Sequence, residues 1–247
     1  MKRMSLLFTG VILVIGLCIW VTNAPSTQEK DKSNPAAMEI TQKLKYEYES
    51  SDMYEVSEPL YEHEAPSVRR TIYVVYVTSP CDDEWRSQYA SYMYEAGRTV
   101  ERADDELYNE FGIDLYSVAQ FPWSSSSTTS SGLLNEAYSE HGLTYNGNQT
   151  AEMMIAFSGV TPSDNSNITG VAYVGLPYLV VFDNGYSMNS ETLQHECGHT
   201  YGLNHCESEA GSSYGDSACV MTAYGFGNID QFCTGHYAEW ANCANTY

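Results

Sequence analysis

Three histidines, His195, His199 and His205, lie within eleven residues and constrain this chain more than any other feature of its sequence. On a helix, positions 195 and 199 share one face about one turn apart, so both imidazoles can reach one ion. Gly202 permits a sharp turn that ends such a helix and returns the chain to present His205 as a third ligand. Three protein ligands leave a fourth position open, which is typical of a catalytic zinc site. The pattern therefore predicts one catalytic Zn²⁺.

Glu196 follows the first of these histidines and predicts a hydrolytic function. From this position a carboxylate reaches the water in the open position without binding the ion, as the general base of metal hydrolases does. The zinc polarises the scissile carbonyl, while Glu196 takes a proton from water and passes it to the leaving amine. The other histidines, His63, His141 and His236, lack such a context, and we expect surface or capping roles for them.

The N-terminus has the pattern of an export segment. Lys2 and Arg3 precede an apolar run from Leu6 to Val21, which is typical of a signal peptide and nearly long enough for a membrane anchor. Residues 1–23 are therefore predicted to be either a signal peptide or an N-terminal membrane anchor. We expect an extracellular protein that is secreted or tethered to the outer face of the membrane.

The remaining chain divides into two parts by composition. Residues 24–67 are polar and charged without an apolar period, which predicts a stalk or a pro-segment. The apolar, β-branched run that begins at Thr71 predicts a first core strand. The folded domain is therefore placed at residues 68–247.

The charge is strongly negative. Lys and Arg total 11 against 32 Asp and Glu, which leaves a net charge of −21, and residues 103–247 contain no Lys or Arg. A nucleic acid would be repelled, so a nucleic-acid partner is excluded. The same field attracts cations, and Ca²⁺ is a candidate second ion.

The cysteines predict a disulfide framework in an exported protein. Of seven, Cys18 lies in the export segment, and the other six allow three disulfides in 15 possible pairings. The alternative is that some are buried thiols. These six are Cys81, Cys197, Cys206, Cys219, Cys233 and Cys243.

The order of elements predicts a mixed α/β (α+β) domain with a long helix behind the sheet. A strand at Thr71–Ser79 precedes a helix that begins at Asp82 or Asp83 and runs to about Phe111. A zinc helix capped at Ser190 runs to about Tyr201. The other predicted elements are strands at 113–121, 153–157, 171–174 and 179–182, and helices at about 133–140 and 234–243.

The pattern H-E-x-x-H-x-x-G-x-x-H resembles the signature of the metzincin zinc endopeptidases. In that clan a turn containing a methionine follows the zinc ligands, and the segment Cys219–Tyr224 looks like this turn. The resemblance implies a non-ligating, hydrophobic floor role for Met221. It also implies a five-stranded, mostly parallel sheet, an active-site helix, and a small irregular C-terminal subdomain with a final helix.

Within the metzincins the chain is most similar to the reprolysin (adamalysin) branch. The segments Gly170–Gly175 and Gln231–Thr234 resemble its edge strand and the stretch before its last helix. The resemblance covers residues 71–245 and implies a monomer that binds a protein or peptide substrate. The substrate's main chain would pair with the edge strand, and a pocket beside the zinc would set specificity. The implied substrate-binding residues are Val171, Ala172, Tyr173, Val174 and Tyr224.

Two cysteines depart from the reprolysin pattern. Cys197 lies inside the zinc helix where an aliphatic residue is usual, and Cys206 follows the third ligand where Asp is common. The family's disulfide map therefore does not transfer. The expected pairs are Cys206–Cys219, Cys197–Cys233 and Cys81–Cys243.

Together these features predict a secreted or surface-anchored zinc endopeptidase. Two alternatives stay open at this point. One is a cell-surface binding protein that retains the zinc without turnover, against which the intact Glu196 argues. The other is a zinc amidase that acts on non-peptide amides, because cleft shape decides this and sequence does not supply it.

Overall fold

A five-stranded, mostly parallel sheet forms the centre of the domain. The computed structural model describes residues 71–211, 213–214, 217–223 and 227–247. The sheet has the order β2-β1-β5-β7-β6, in which neighbouring strands run parallel except for β6, which is antiparallel to β7 at the edge. The predicted mixed α/β fold with this type of sheet is confirmed. The strands are β1 (Tyr73–Cys81), β2 (Ile113–Pro122), β3 (Thr144–Tyr145), β4 (Gln149–Thr150), β5 (Met153–Ser158), β6 (Gly170–Ala172) and β7 (Tyr178–Phe182).

The helices cover both faces of the sheet. Alternate residues of the central strands point to opposite faces, and each face has its own apolar cluster. One cluster joins the sheet to the long helix, the helix that carries His195 and the C-terminal region, while the other joins it to the helix that follows β2. The helices are α1 (Asp83–Gln88), α2 (Tyr92–Phe111), α3 (Ser130–Glu140), α4 (Tyr186–Thr200) and α5 (Thr234–Cys243), with a 3₁₀ turn at Cys206–Ser208.

The single long helix predicted between β1 and β2 is wrong, because the chain breaks it after α1. The carboxylate of Asp82 caps α1 by accepting from the Trp85 N–H at 2.7 Å. Tyr89 then adopts an extended conformation, and its hydroxyl donates to Asp183 Oδ1 at 2.8 Å. This contact ties the break to the segment before α4. The long backing helix α2 starts only at Tyr92.

Helix α4, which carries His195 and His199, begins four residues earlier than its predicted cap. Gly185 precedes the helix with φ 85°, and Asn189 accepts from the Asn184 N–H at 2.8 Å. Ser190, the predicted cap, instead donates to the carbonyl of Tyr186 inside the first turn at 2.9 Å. The final helix α5 has the predicted bounds, Thr234–Cys243.

A small hairpin of β3 and β4 was absent from the sequence-based prediction. Asn146 and Gly147 form its turn with φ 45° and 83°. An Asn-Gly pair is a strong signal for a tight hairpin turn, so the sequence did carry this information.

The predicted N-terminal parts lie outside the described residues. This applies to the export segment 1–23, the stalk or pro-segment 24–67 and the domain start at 68. Within the described part of the chain, no helix is both long and apolar enough to cross a membrane.

Candidate metal centre and cleft

Helix α4 and the turn after it bring the three predicted histidines together. His195 and His199 lie one turn apart on α4. Gly202 has φ 93°, a left-handed conformation that favours glycine, and the Leu203 N–H donates back to the Gly198 carbonyl at 3.0 Å. The chain thereby reverses and presents His205 to the helix.

The three imidazoles converge through their Nε2 atoms. His205 Nε2 lies 3.1 Å from Nε2 of both His195 and His199. His195 Nδ1 lies 2.6 Å from the Val220 carbonyl oxygen, and His199 Nδ1 lies 2.7 Å from the Leu203 carbonyl oxygen. A carbonyl only accepts, so Nδ1 carries the proton and the Nε2 lone pairs face one another.

This donor set fits zinc. Zn–N bonds of about 2.0–2.1 Å in a tetrahedral site place neighbouring nitrogens about 3.3 Å apart, close to the observed 3.1 Å. Burial lowers the pKa of His195 to about 3, and burial also lowers that of His199. Neutral imidazoles bind metal, and carbonyl acceptors on the other ring nitrogen are typical of zinc-binding histidines.

Glu196 lies beside the triad and against the edge strand. Burial raises the pKa of Glu196 to about 8. A Cβ on Gly170 would lie 3.0 Å from Glu196 Oε1 and 2.8 Å from its Cγ, so glycine at the start of β6 permits this approach. None of the described residues hydrogen bonds to the Glu196 carboxylate.

Met221 packs beneath the helix that carries two of the ligands. Its side chain is fully buried, and a Cβ on Gly198 would collide with the thioether and lie 3.4 Å from Trp240 Cζ2. The structure thus packs Met221 against α4 at Gly198, between the positions of His195 and His199 in the sequence, and its floor role stays a prediction. Tyr224, the predicted pocket residue, lies outside the described residues.

The predicted substrate strand is shorter than expected. Val171 and Ala172 pair with β7, whereas Tyr173 and Val174 follow in a turn. The Gly175 N–H donates to the His199 carbonyl at 2.8 Å, which holds this turn against α4. β6 is an edge strand, so its outer side has no partner strand in the described sheet.

The predicted disulfide pairs are wrong, because all six cysteines of the domain are free thiols. Cys206, Cys219 and Cys233 instead gather around His236, with all four donor atoms within 4.8 Å of one another. His236 is fully buried, so its expected surface or capping role is also wrong. Cys233 and His236 lie three residues apart at the start of α5, which brings two ligand-type side chains together locally, but the sequence does not show which other cysteines join them.

Among the described residues, two groups therefore have side chains that could hold a metal ion. One is the His195, His199 and His205 triad, and the other is the cluster around His236. Neither group includes a carboxylate, so the calcium prediction has no support within the described part of the chain.

Comparisons with known proteins show the fold and no family. No protein-family model and no curated protein sequence matches the chain. A solved structure of a chaperone–substrate complex is similar with a TM-score of 0.55 and 12% identity over 71% of this chain, which spans about a third (34%) of that chain. Archaemetzincin from Methanopyrus kandleri has a TM-score of 0.47 and 14% identity over 68% of this chain and 94% of that chain. The first likeness concerns the fold alone, and the second is too distant to support a conclusion. The reprolysin branch has no support from either.

Proposed function

We propose that this protein is a zinc-dependent endopeptidase. The observation that carries the proposal is the convergence of three imidazoles, with His205 Nε2 3.1 Å from Nε2 of both His195 and His199, beside a buried carboxylate that none of the described residues binds. Three histidine ligands leave a coordination position for water or substrate. A closed structural site would need a fourth protein ligand, and the triad has none among the described residues.

His195, His199 and His205 would hold the zinc, which supplies Lewis-acid polarisation of the scissile carbonyl and a more acidic water. Glu196 acts as the general base: its carboxylate accepts a proton from the attacking water and delivers it to the leaving amine. Burial alone favours the protonated form of Glu196. A cation at the triad opposes this effect, because a nearby opposite charge favours the carboxylate.

The edge strand supports cleavage of a polypeptide chain. β6 begins at Gly170, against Glu196, and the turn after it is bound to the His199 carbonyl. An extended peptide added to its outer side would form main-chain hydrogen bonds, which bind many sequences. Val171, Ala172, Tyr173 and Val174 would make these contacts. On the sequence resemblance alone, Tyr224 would line a pocket beside the zinc.

The finer assignment follows from the sequence resemblance. The proposed enzyme is a reprolysin-like metzincin that acts as a monomer on protein or peptide substrates, either secreted or tethered outside the membrane by its N-terminal segment. The H-E-x-x-H-x-x-G-x-x-H pattern and the buried Met221 support the metzincin assignment. The apolar run from Leu6 to Val21 supports export.

The test is hydrolysis of casein by the purified full chain, with zinc measured on the same samples. Glu196→Gln should retain zinc and fold but lose activity by a factor of at least about 10² to 10⁴, the usual contribution of a general base. Glu140→Gln changes an exposed glutamate at the end of α3 and should leave the activity unchanged. 1,10-Phenanthroline should abolish cleavage by the unmodified protein.

Cleavage at the normal rate by the Glu196→Gln variant would overturn the assignment. Absence of cleavage by a zinc-loaded chain, also after removal of the residues before Thr71, would favour a zinc-containing binding protein. Hydrolysis of small amides without cleavage of casein would favour a zinc amidase.

A further inference from the structure

We propose that Cys206, Cys219, Cys233 and His236 form a second zinc centre, closed by four protein ligands, which positions the open histidine triad. The four residues lie in three different places in the fold. Cys206 opens the 3₁₀ turn after α4, Cys219 precedes Met221, and the other two lie at the start of α5.

The contacts converge on a single nitrogen. His236 Nδ1 lies 3.4 Å from the Sγ atoms of Cys206 and Cys219 and 3.2 Å from that of Cys233. An imidazole nitrogen has one hydrogen or one lone pair, so it cannot hydrogen bond to three thiols at once. A cation at the centre accounts for all three contacts.

The distances also match a tetrahedral zinc. Zn–S bonds of about 2.3 Å and Zn–N bonds of about 2.0–2.1 Å place sulfur and nitrogen about 3.6 Å apart, near the observed 3.2–3.4 Å. Three cysteines and one histidine are an established ligand set for structural zinc. A disulfide would need two sulfurs about 2.05 Å apart and would leave the third thiol unpaired.

The histidine of this centre is oriented for metal binding. His236 Nε2 lies 3.6 Å from Glu239 Oε2, and the other oxygen of Glu239 accepts from the Tyr214 hydroxyl at 2.7 Å. A carboxylate beside one ring nitrogen favours the proton there, which leaves the Nδ1 lone pair for an ion. All four ligand residues are buried, as a closed structural site requires.

The closed centre shares its backbone with the open triad. Cys206 directly follows His205, and its N–H donates to the Met221 carbonyl at 3.0 Å. Cys219 directly precedes Val220, whose carbonyl orients the His195 ring at 2.6 Å. The region between α4 and α5 has only a 3₁₀ turn as described regular structure. A metal that joins this region to α5 would therefore fix the third histidine, the methionine turn and the orientation of the first histidine.

The test counts metal and thiolate ligation in the purified full chain. We expect two zinc ions per chain in the unmodified protein and one in His199→Ala, which damages the open triad alone. Substitution of zinc by cobalt should give an intense near-ultraviolet thiolate-to-cobalt band in both proteins. The histidine triad contributes no thiolate, so this band reports the closed centre independently of any protease activity.

Two matched cysteine variants test whether the thiolate-to-cobalt band comes from the proposed cluster. Cys233→Ser should weaken it and should also weaken zinc binding at the triad by tenfold or more, in the range that outer positioning residues affect metal sites. Cys243→Ser changes a cysteine of α5 outside the cluster and should leave both signals unchanged. If Cys233→Ser does not fold, the band of the unmodified protein still decides the question.

Three results would overturn the proposal. These are a single zinc per unmodified chain that is lost in His199→Ala, a cobalt form without a thiolate band, and a Cys206–Cys219 disulfide in the unreduced protein by mass spectrometry. A thiolate band that disappears in Cys243→Ser would also contradict the ligand set. An inactive protein with two zinc ions and the band would uphold this centre while removing the proposed protease.

Discussion

Two glycines in and just after α4 are each required by a different feature of the structure. Gly198 sits between the two histidines of α4, directly over the thioether of Met221 and near Trp240. Gly202 is required for a different reason, because its left-handed φ of 93° turns the chain toward His205. A glycine within a helix is usually unfavourable by about 1 kcal/mol relative to alanine. At position 198 close packing outweighs that preference.

We predict opposite effects for alanine at two helix glycines. Gly198→Ala forces a methyl into the Met221 side chain and should destabilise the protein by about 1–3 kcal/mol, the usual cost of overpacking. Gly97→Ala is the matched control in α2, because the nearest atom to its Cβ is Gln120 Nε2 at 3.9 Å. It should be neutral or stabilise by up to about 1 kcal/mol. Urea unfolding measures both, and equal stabilities of the two variants would refute the packing argument.

At the level of elements, a buried glutamine holds α4 against its neighbours. The amide of Gln194 donates to the Ala103 carbonyl of α2 at 2.9 Å and to Asp230 Oδ1 at 3.0 Å. Its carbonyl accepts from the Asp230 N–H at 2.7 Å. Arg102 of α2 forms an ion pair with Asp230 at 2.7 Å. These contacts fix the rotation of α4, the helix that carries His195, about its own axis.

We predict that Gln194→Ala lowers the free energy of unfolding by about 2–3 kcal/mol, because it leaves buried hydrogen-bonding groups unpaired. The helix rotation that follows should also weaken zinc binding. Gln231→Ala removes only a 3.5 Å bond from an exposed side chain and should change stability by less than about 0.5 kcal/mol. Thermal unfolding with zinc titration distinguishes these outcomes. A Gln194→Ala variant as stable as Gln231→Ala would show that the contacts do not hold α4.

On the scale of the whole molecule, negative charge dominates. The chain has a net charge of −21. The basic side chains of residues 71–247 are Arg86, Arg98 and Arg102, and each already forms an ion pair. Most carboxylates of the domain therefore have no cationic side chain available to them. Such self-repulsion opposes the compact state.

We predict that salt stabilises this protein. Raising NaCl from about 0.01 M to about 0.15 M shortens the screening length from about 30 Å to about 8 Å, which weakens repulsion among carboxylates more than it weakens the few ion pairs. The thermal midpoint should rise by several degrees in a zinc-saturated sample. An equal osmolality of sucrose serves as the control for non-ionic effects. A midpoint that falls with salt would show that attractive pairs dominate.

The sequence by itself determined the features that depend on local spacing. The triad could be predicted because two histidines one helical turn apart and a glycine turn bring His205 back within a few residues. The strands, the backing helix and α5 were predicted from periodicity, whereas the break after α1 was not, because Tyr89 is held by Asp183, 94 residues away.

Only the tertiary structure determined whether the cysteines pair as disulfides or gather around His236. Cys206 and His236 are 30 residues apart, and the path of the loop between α4 and α5 sets which thiols meet. Sequence permits any of the 15 pairings of six cysteines and equally a metal cluster. In the folded chain α5 packs against α2, where Trp240 stacks on Phe111, and this places a buried imidazole beside three thiols. Long-range contacts of this kind depend on how whole elements pack, which no local pattern encodes.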